Sequence, residues 1–236
     1  MIFLLMFLGL LPSFAWLIFF LEEDQHPEPK KMIALVFFYG ALITIPAIIL
    51  QLIFRDAIFS SLQIGEYSLI GFLFFAAIEE ILKFMVAYWA IHKSRYFDEP
   101  IDAMIYILTA SLGFALVENV AVAVATGDLS QAIAAVILRF VGATLLHALC
   151  SSIVGYYWAQ SILKKGKHTL SFFILQGFIL ATVLHGIFNY LIMSTKDILV
   201  YPTIFLILIA LYVFWDFERI KRSKTTNASE STNTYL

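Results

Sequence analysis

Charge is scarce in this chain. Asp, Glu, Lys and Arg make up 14% of its 236 residues against 61% hydrophobic, where soluble domains average about 25% charged. That balance excludes a solvated globular domain and implies an integral membrane protein. The net charge of −2 provides none of the positive field that nucleic acid requires, so no nucleic-acid partner is expected. A single cysteine, Cys150, excludes an internal disulfide. No HExxH occurs, which excludes a zinc site built on one helix. GxSxG is also missing, and no aspartate pair lies within an apolar run. The N-terminal MIFLLMFLGLLPSFAWLIFFL lacks a basic leader and a small-residue cleavage site, so it reads as a retained helix rather than a signal peptide.

Long apolar runs are what the chain has in abundance. A bilayer core needs about 20 apolar residues per helix. Seven runs meet that, at roughly 1–21, 32–54, 67–91, 101–126, 130–159, 169–193 and 201–217. The expected fold is therefore an all-α polytopic transmembrane bundle of about seven spans, with no internal repeat. Of the 15 basic residues, eleven fall in alternate loops and the tail, from Lys30 and Lys31 to Arg219, Lys221, Arg222 and Lys224. The opposite loops hold only Arg55 and Lys196. The positive-inside rule then places the N-terminus outside and the C-terminus in the cytoplasm. Residues 1–217 are expected to form the membrane domain and 218–236 a basic, then polar, unstructured cytoplasmic tail.

Against this apolar background, a few polar residues inside the runs stand out. The third run, GFLFFAAIEEILKFMVAYWAI, carries Glu79, Glu80 and Lys83. The fourth carries Glu118 and Asn119, the fifth Arg139 and His147, and the sixth His185 and Asn189. An ionisable group near a bilayer centre costs roughly 2.5–3.5 kcal/mol on insertion scales, so partners or a function must offset it. Lys83 lies i+4 from Glu79 and i+3 from Glu80, in reach of either. His185 and Asn189 share a face, as do His147 and Ser151. At about 1.5 Å per residue, all of these groups fall between the middle and the outer half of the bilayer, so one cavity can hold them. The bland readings are ion pairs that brace a bundle, as Lys83 with a Glu or Arg139 with Glu118, and histidines that bond neighbouring helices. Cys150 and Ser151 read as packing residues. Tyr67, Trp89, Tyr156 and Trp158 read as interfacial anchors. Asp102 reads as a helix N-terminal residue.

Two carboxylates, two histidines and an amide in a partly dry cavity can hydrolyse a peptide bond. A glutamate takes a proton from water and returns it to the leaving amine, while histidine and asparagine donors stabilise the oxyanion. A zinc version fits equally: His147, His185 and one of Glu79, Glu80 or Glu118 form a His₂Glu set, with another Glu as base. No cofactor is required by the sequence, and zinc is the one it accommodates. The other function classes in play are an ion-coupled transporter, since buried acids also mark ion pathways, and a non-catalytic membrane scaffold.

In order, the pieces EEILK, DEPIDAMIYILTASLGFALVEN, RFVGATLLHALCSSIVGYYW and LHGIFNY resemble the PrsW family of intramembrane proteases. That family is related to the type II CAAX prenyl endopeptidases and to the scaffold subunit of γ-secretase. The resemblance covers about residues 70–190, with a motif-bearing core of about 67–193. It implies a multi-pass protein of the bacterial plasma membrane that cuts a membrane-anchored protein near its extracytoplasmic side. The implied substrate is a single-span anti-sigma factor, and the cut a first-site cleavage in a stress response. It implies Glu79, Glu80, His147 and His185 as catalytic, supported by Lys83, Glu118, Asn119, Arg139 and Asn189. Glu118 stands where the prenyl endopeptidases have a histidine, so their Glu–His pair does not transfer directly.

Overall fold

The computed structural model describes residues 1–56, 61, 65, 67–164, 169–194 and 199–233. Among these residues every regular element is helical: α1 (Ile2–Leu21), α2 (Lys30–Phe54), α3 (Leu69–Ile91), α4 (Pro100–Thr126), α5 (Leu129–Arg139), a π-helical turn (Phe140–Thr144), α6 (Leu145–Leu163), α7 (Thr169–Ser194) and α8 (Val200–Asn233). The stretch from α5 through the π turn to α6 is one continuous rod, Leu129–Leu163. Seven rods result, at the seven apolar runs of the sequence. Six are long and apolar enough to cross a membrane. The seventh, α3, has 23 residues and differs in carrying Glu79, Glu80 and Lys83, all buried against protein. The fold is a polytopic helical bundle.

Local chemistry sets the helix ends. The Ser68 hydroxyl accepts from the Gly71 amide at 3.1 Å and starts α3. Pro100 opens α4, where its missing N–H costs nothing. Asp102, one turn in, accepts from the amides of Asp98 at 3.0 Å and Glu99 at 2.8 Å, the helix-start role its position implied. Gly127 ends α4 with φ +64°, a left-handed conformation that suits glycine. Asp128 then caps α5 through the Gln131 amide at 2.9 Å.

The centre of the bundle is α4, whose residues from Ile101 to Ala115 are buried without a break. It packs against α1, α2 and α6. Two glycines bring α2 and α4 into backbone contact: a Cβ on Gly40 would meet the Ala110 carbonyl, and one on Gly113 the Phe37 carbonyl. Small residues permit such close approach where helices must pack without a hydrophobic drive between them.

Of the four expected interfacial anchors, two lie on the surface and two are buried. Tyr67 and Trp89 are 65% and 64% exposed. Tyr156 and Trp158 are buried, because α6 is covered by neighbouring helices. Trp158 packs on Phe84, Tyr88 and Phe97, so these two rings are core residues. The last helix runs to Asn233, past residue 217 and into the stretch read above as a tail. Ile220 is buried there, and Lys221 bonds Glu23, just past α1, at 2.7 Å. These contacts dock the helix beyond the apolar run.

Candidate functional site

The polar residues of four separate runs meet in one buried cluster, with Lys83 at its centre. Its Nζ donates to Glu80 Oε1 at 2.9 Å and to Glu79 Oε2 at 3.4 Å. It lies 2.8 Å from His147 Nδ1 and 4.6 Å from the centre of the Phe114 ring. Both acids therefore reach the lysine although they are adjacent on α3, because one lies four residues before it and the other three.

The two carboxylates have different surroundings. Glu80 is fully buried. Its Oε1 takes Lys83 and the His185 Nδ1 proton at 3.0 Å, and its Oε2 takes the Ser151 hydroxyl at 2.8 Å. Glu79 accepts from Gln51 of α2 at 3.0 Å through Oε1. Its Oε2 faces His147 Nδ1 and His185 Nε2, each at 3.8 Å. Those separations exceed a hydrogen bond and leave Oε2 facing two ring nitrogens. The two imidazoles meet edge to face with centroids 4.9 Å apart.

Tautomers follow from the partners. A carboxylate only accepts and a lysine ammonium only donates. His185 thus carries a proton on Nδ1, toward Glu80, while its Nε2 faces Glu79. His147 receives Lys83 at Nδ1 and carries its proton on Nε2, which donates to Glu118 Oε2 at 2.9 Å. Glu118 is held in turn by Arg139 Nη2 at 2.9 Å. Arg139 Nε donates to Asn119 Oδ1 at 2.6 Å, and the Asn119 amide reaches Thr144 at 3.0 Å and Ser13 at 3.4 Å. Thr144 belongs to the π turn, whose Phe140 carbonyl accepts from the Trp16 indole at 2.8 Å. π turns recur at functional sites, and this one sets the register between Arg139 and His147.

Glu79, Glu80, Lys83, Glu118, Asn119, Arg139, His147 and His185 are thus brought together. Asn189 is set apart, lining a neighbouring cavity of about 450 Å³ with Arg139 and Gly142. Cys150 is a buried free thiol, as expected of a packing residue. Ser151, read from the sequence as packing, bonds Glu80 instead. Gln51, Thr144 and Ser13 were not singled out at all. Gln51 is an amide inside an apolar run, as Asn119 and Asn189 are, so the same scan extended to glutamine would have found it.

The donor set also bears on a metal. Glu79, His147 and His185 each offer one atom within 4.8 Å of the others. Zinc bonds of about 2.0–2.1 Å in a tetrahedral site separate ligands by about 3.3 Å, close to the 3.8 Å found here. The residues fit a His₂Glu centre, provided Lys83 releases His147 Nδ1. Glu80 and Glu118, the other carboxylates considered from the sequence, are engaged with other partners.

Comparison with known proteins gives the same picture. Residues 28–215 match the model of the PrsW family of intramembrane metalloproteases. The chain is 30% identical to the protease PrsW of Geobacillus kaustophilus over 80% of this chain and 79% of that one. It is 28% identical to the protease PrsW of Oceanobacillus iheyensis over 93% and 97%, and 25% identical to that of Bacillus subtilis over 93% and 95%. No solved structure matches. This multi-pass bacterial membrane protein belongs to the PrsW family of intramembrane proteases.

Proposed function

We propose that the chain hydrolyses a peptide bond of a membrane-anchored protein near its extracytoplasmic side, with Glu79 as the residue that handles water. The observation that carries this reading is Glu79 Oε2 facing two ring nitrogens at 3.8 Å each while Glu80 is fully engaged. In the proposed step Glu79 takes a proton from water as its oxygen attacks the carbonyl carbon. The C–N bond then breaks and the amine leaves with that proton. Arg139 of the cluster, and Asn189 of the cavity that Arg139 also lines, would offer N–H donors to the oxyanion. Glu80 keeps Lys83 and His185 in place, and Glu118 fixes the His147 ring. A zinc ion would be held by Glu79, His147 and His185, and would supply a more acidic water and Lewis-acid polarisation of the carbonyl. Glu79 is required on either footing.

The basic loops favour an outside N-terminus and a cytoplasmic C-terminus, which places the cluster in the outer half of the bilayer. The substrate class we favour is the one the family resemblance implies, a single-span anti-sigma factor cut at its first site. The test compares membrane proteomes of cells expressing the wild type and Glu79→Gln at matched levels under envelope stress. A single-span protein shortened on its outer side with the wild type alone is the expected result. Identical proteomes, or the same fragment with Glu79→Gln, would overturn the reading.

A further inference from the structure

The buried stripe of α2 ends on an amide. Its buried residues, Ile33, Val36, Gly40, Thr44 and Ala47, fall at steps of three or four, the pattern that a helix turns toward its neighbours. The next step of four lands on Gln51. An apolar residue is the default at such a place, because an amide taken out of water costs about 1–3 kcal/mol unless it is bonded. The Gln51 amide donates to Glu79 Oε1 at 3.0 Å.

Glu79 needs such a partner to have a direction. The last torsion of a glutamate is broad and nearly two-fold, so the side chain alone does not fix where Oε2 points. Lys83 competes for it. The ammonium lies 3.4 Å from Oε2, against the 2.9 Å it makes with Glu80. A charge-assisted bond formed by closing that gap would be roughly twice as strong as a neutral one. With Oε1 pinned from α2, Oε2 stays 3.8 Å from both His147 Nδ1 and His185 Nε2. Without the pin, Glu79 is free to turn onto Lys83, and the oxygen that faces the rings is lost to an ion pair. An amide suits this task because it is a neutral donor, which orients the carboxylate without giving it a second counter-charge. We propose that Gln51 is a positioning residue for Glu79, holding Oε1 from α2 so that Oε2 stays off Lys83 and turned to the two imidazoles. The proposal rests on the hydrolytic reading of Glu79.

Three variants test it. Gln51→Met keeps the length of the side chain and removes the donor. Gln51→Asn keeps the amide but is one methylene short, and it carries the test if the first variant fails to fold. Gln51→His offers a ring N–H at similar reach. The full chain with each change is reconstituted in lipid vesicles, and cleavage of the substrate identified from the membrane proteome gives kcat and KM. Gln51→Met and Gln51→Asn should lower kcat about 10–100-fold, the scale of a small misplacement of a reacting group, with KM within about twofold of the wild type. Gln51→His should recover most of that loss. A second readout needs no cleavage. The infrared carboxylate band that Glu79→Gln abolishes belongs to Glu79; it should shift in Gln51→Met and Gln51→Asn and return toward its place in Gln51→His. Wild-type kcat in both the Met and Asn variants, or a Glu79 band that neither of them moves, would overturn the proposal. A Glu79→Gln protein that cuts normally would instead refute the hydrolytic reading, while the band still decides whether Gln51 holds Glu79.

Discussion

Exchanging Glu79 for Gln keeps the side chain's size and its bond to Gln51 but removes the carboxylate that faces His147 and His185. Loss of a general base lowers the rate by about 10²–10⁴-fold, or about 3–5 kcal/mol in the barrier. The stability effect is small. Lys83 lies 3.4 Å from Glu79, beyond the usual N–H···O range, and keeps Glu80, so about 1 kcal/mol or less is at stake. Glu80→Gln acts the other way. It leaves Lys83, which is 0% exposed, with its 2.9 Å carboxylate neutralised, and breaking a buried pair costs about 3–5 kcal/mol. At about 2–4 °C per kcal/mol for a chain of this length, Glu80→Gln should unfold about 6–20 °C below the wild type, and Glu79→Gln within about 4 °C of it. Purified variants are compared by thermal unfolding in one detergent, and by cleavage of the substrate identified from the membrane proteome. A Glu79→Gln protein that keeps more than a tenth of the wild-type rate, or a Glu80→Gln protein as stable as Glu79→Gln, would refute the division of roles.

Glu118→Gln should lower the cleavage rate about 10–100-fold, because His147 loses the carboxylate that orients its ring, and Arg139→Lys should not substitute for the two-point guanidinium contact; turnover at saturating substrate measures both. Gly40→Leu should destabilise the fold by about 1–3 kcal/mol or more by driving a side chain into the Ala110 backbone, as read by the unfolding temperature. Glu28, in the loop before α2, has its carboxyl raised above the ordinary 4.5 by burial, with Asp24 and Asp98 adding to the shift. The folded state then binds that proton more tightly than the unfolded one, so stability present at low pH is lost as pH rises above 4.5 through the raised value. Glu28→Gln should flatten that slope, as read by unfolding temperature against pH.

The fold was legible because lipid demands long apolar helices, and each run of about 20 apolar residues became a rod. The cluster was legible for a related reason: burying charge in that setting is costly, so Glu79, Glu80, Lys83, Glu118 and Arg139 marked themselves. What sequence spacing does not carry is contact between rods. It leaves open what each carboxylate meets, and the bonds of Ser151 and His185 to Glu80 come from α6 and α7. Gln51 is an amide like Asn119 and Asn189, but it lies in a run with no charged residue beside it to mark it. Trp158 looked like an anchor because aromatic residues near a span's end usually are, yet α6 is enclosed and its ring points inward. The π turn leaves no mark in the pattern of hydrophobic residues, although it aligns Arg139, Thr144 and His147.

The most direct test of the central claim is cleavage in water labelled with heavy oxygen, using purified wild type and Glu79→Gln in vesicles with the substrate identified from the membrane proteome. The wild type should give a fragment whose new C-terminal carboxyl carries one heavy oxygen, and Glu79→Gln should give no fragment above background. A labelled fragment formed equally by Glu79→Gln would contradict the account.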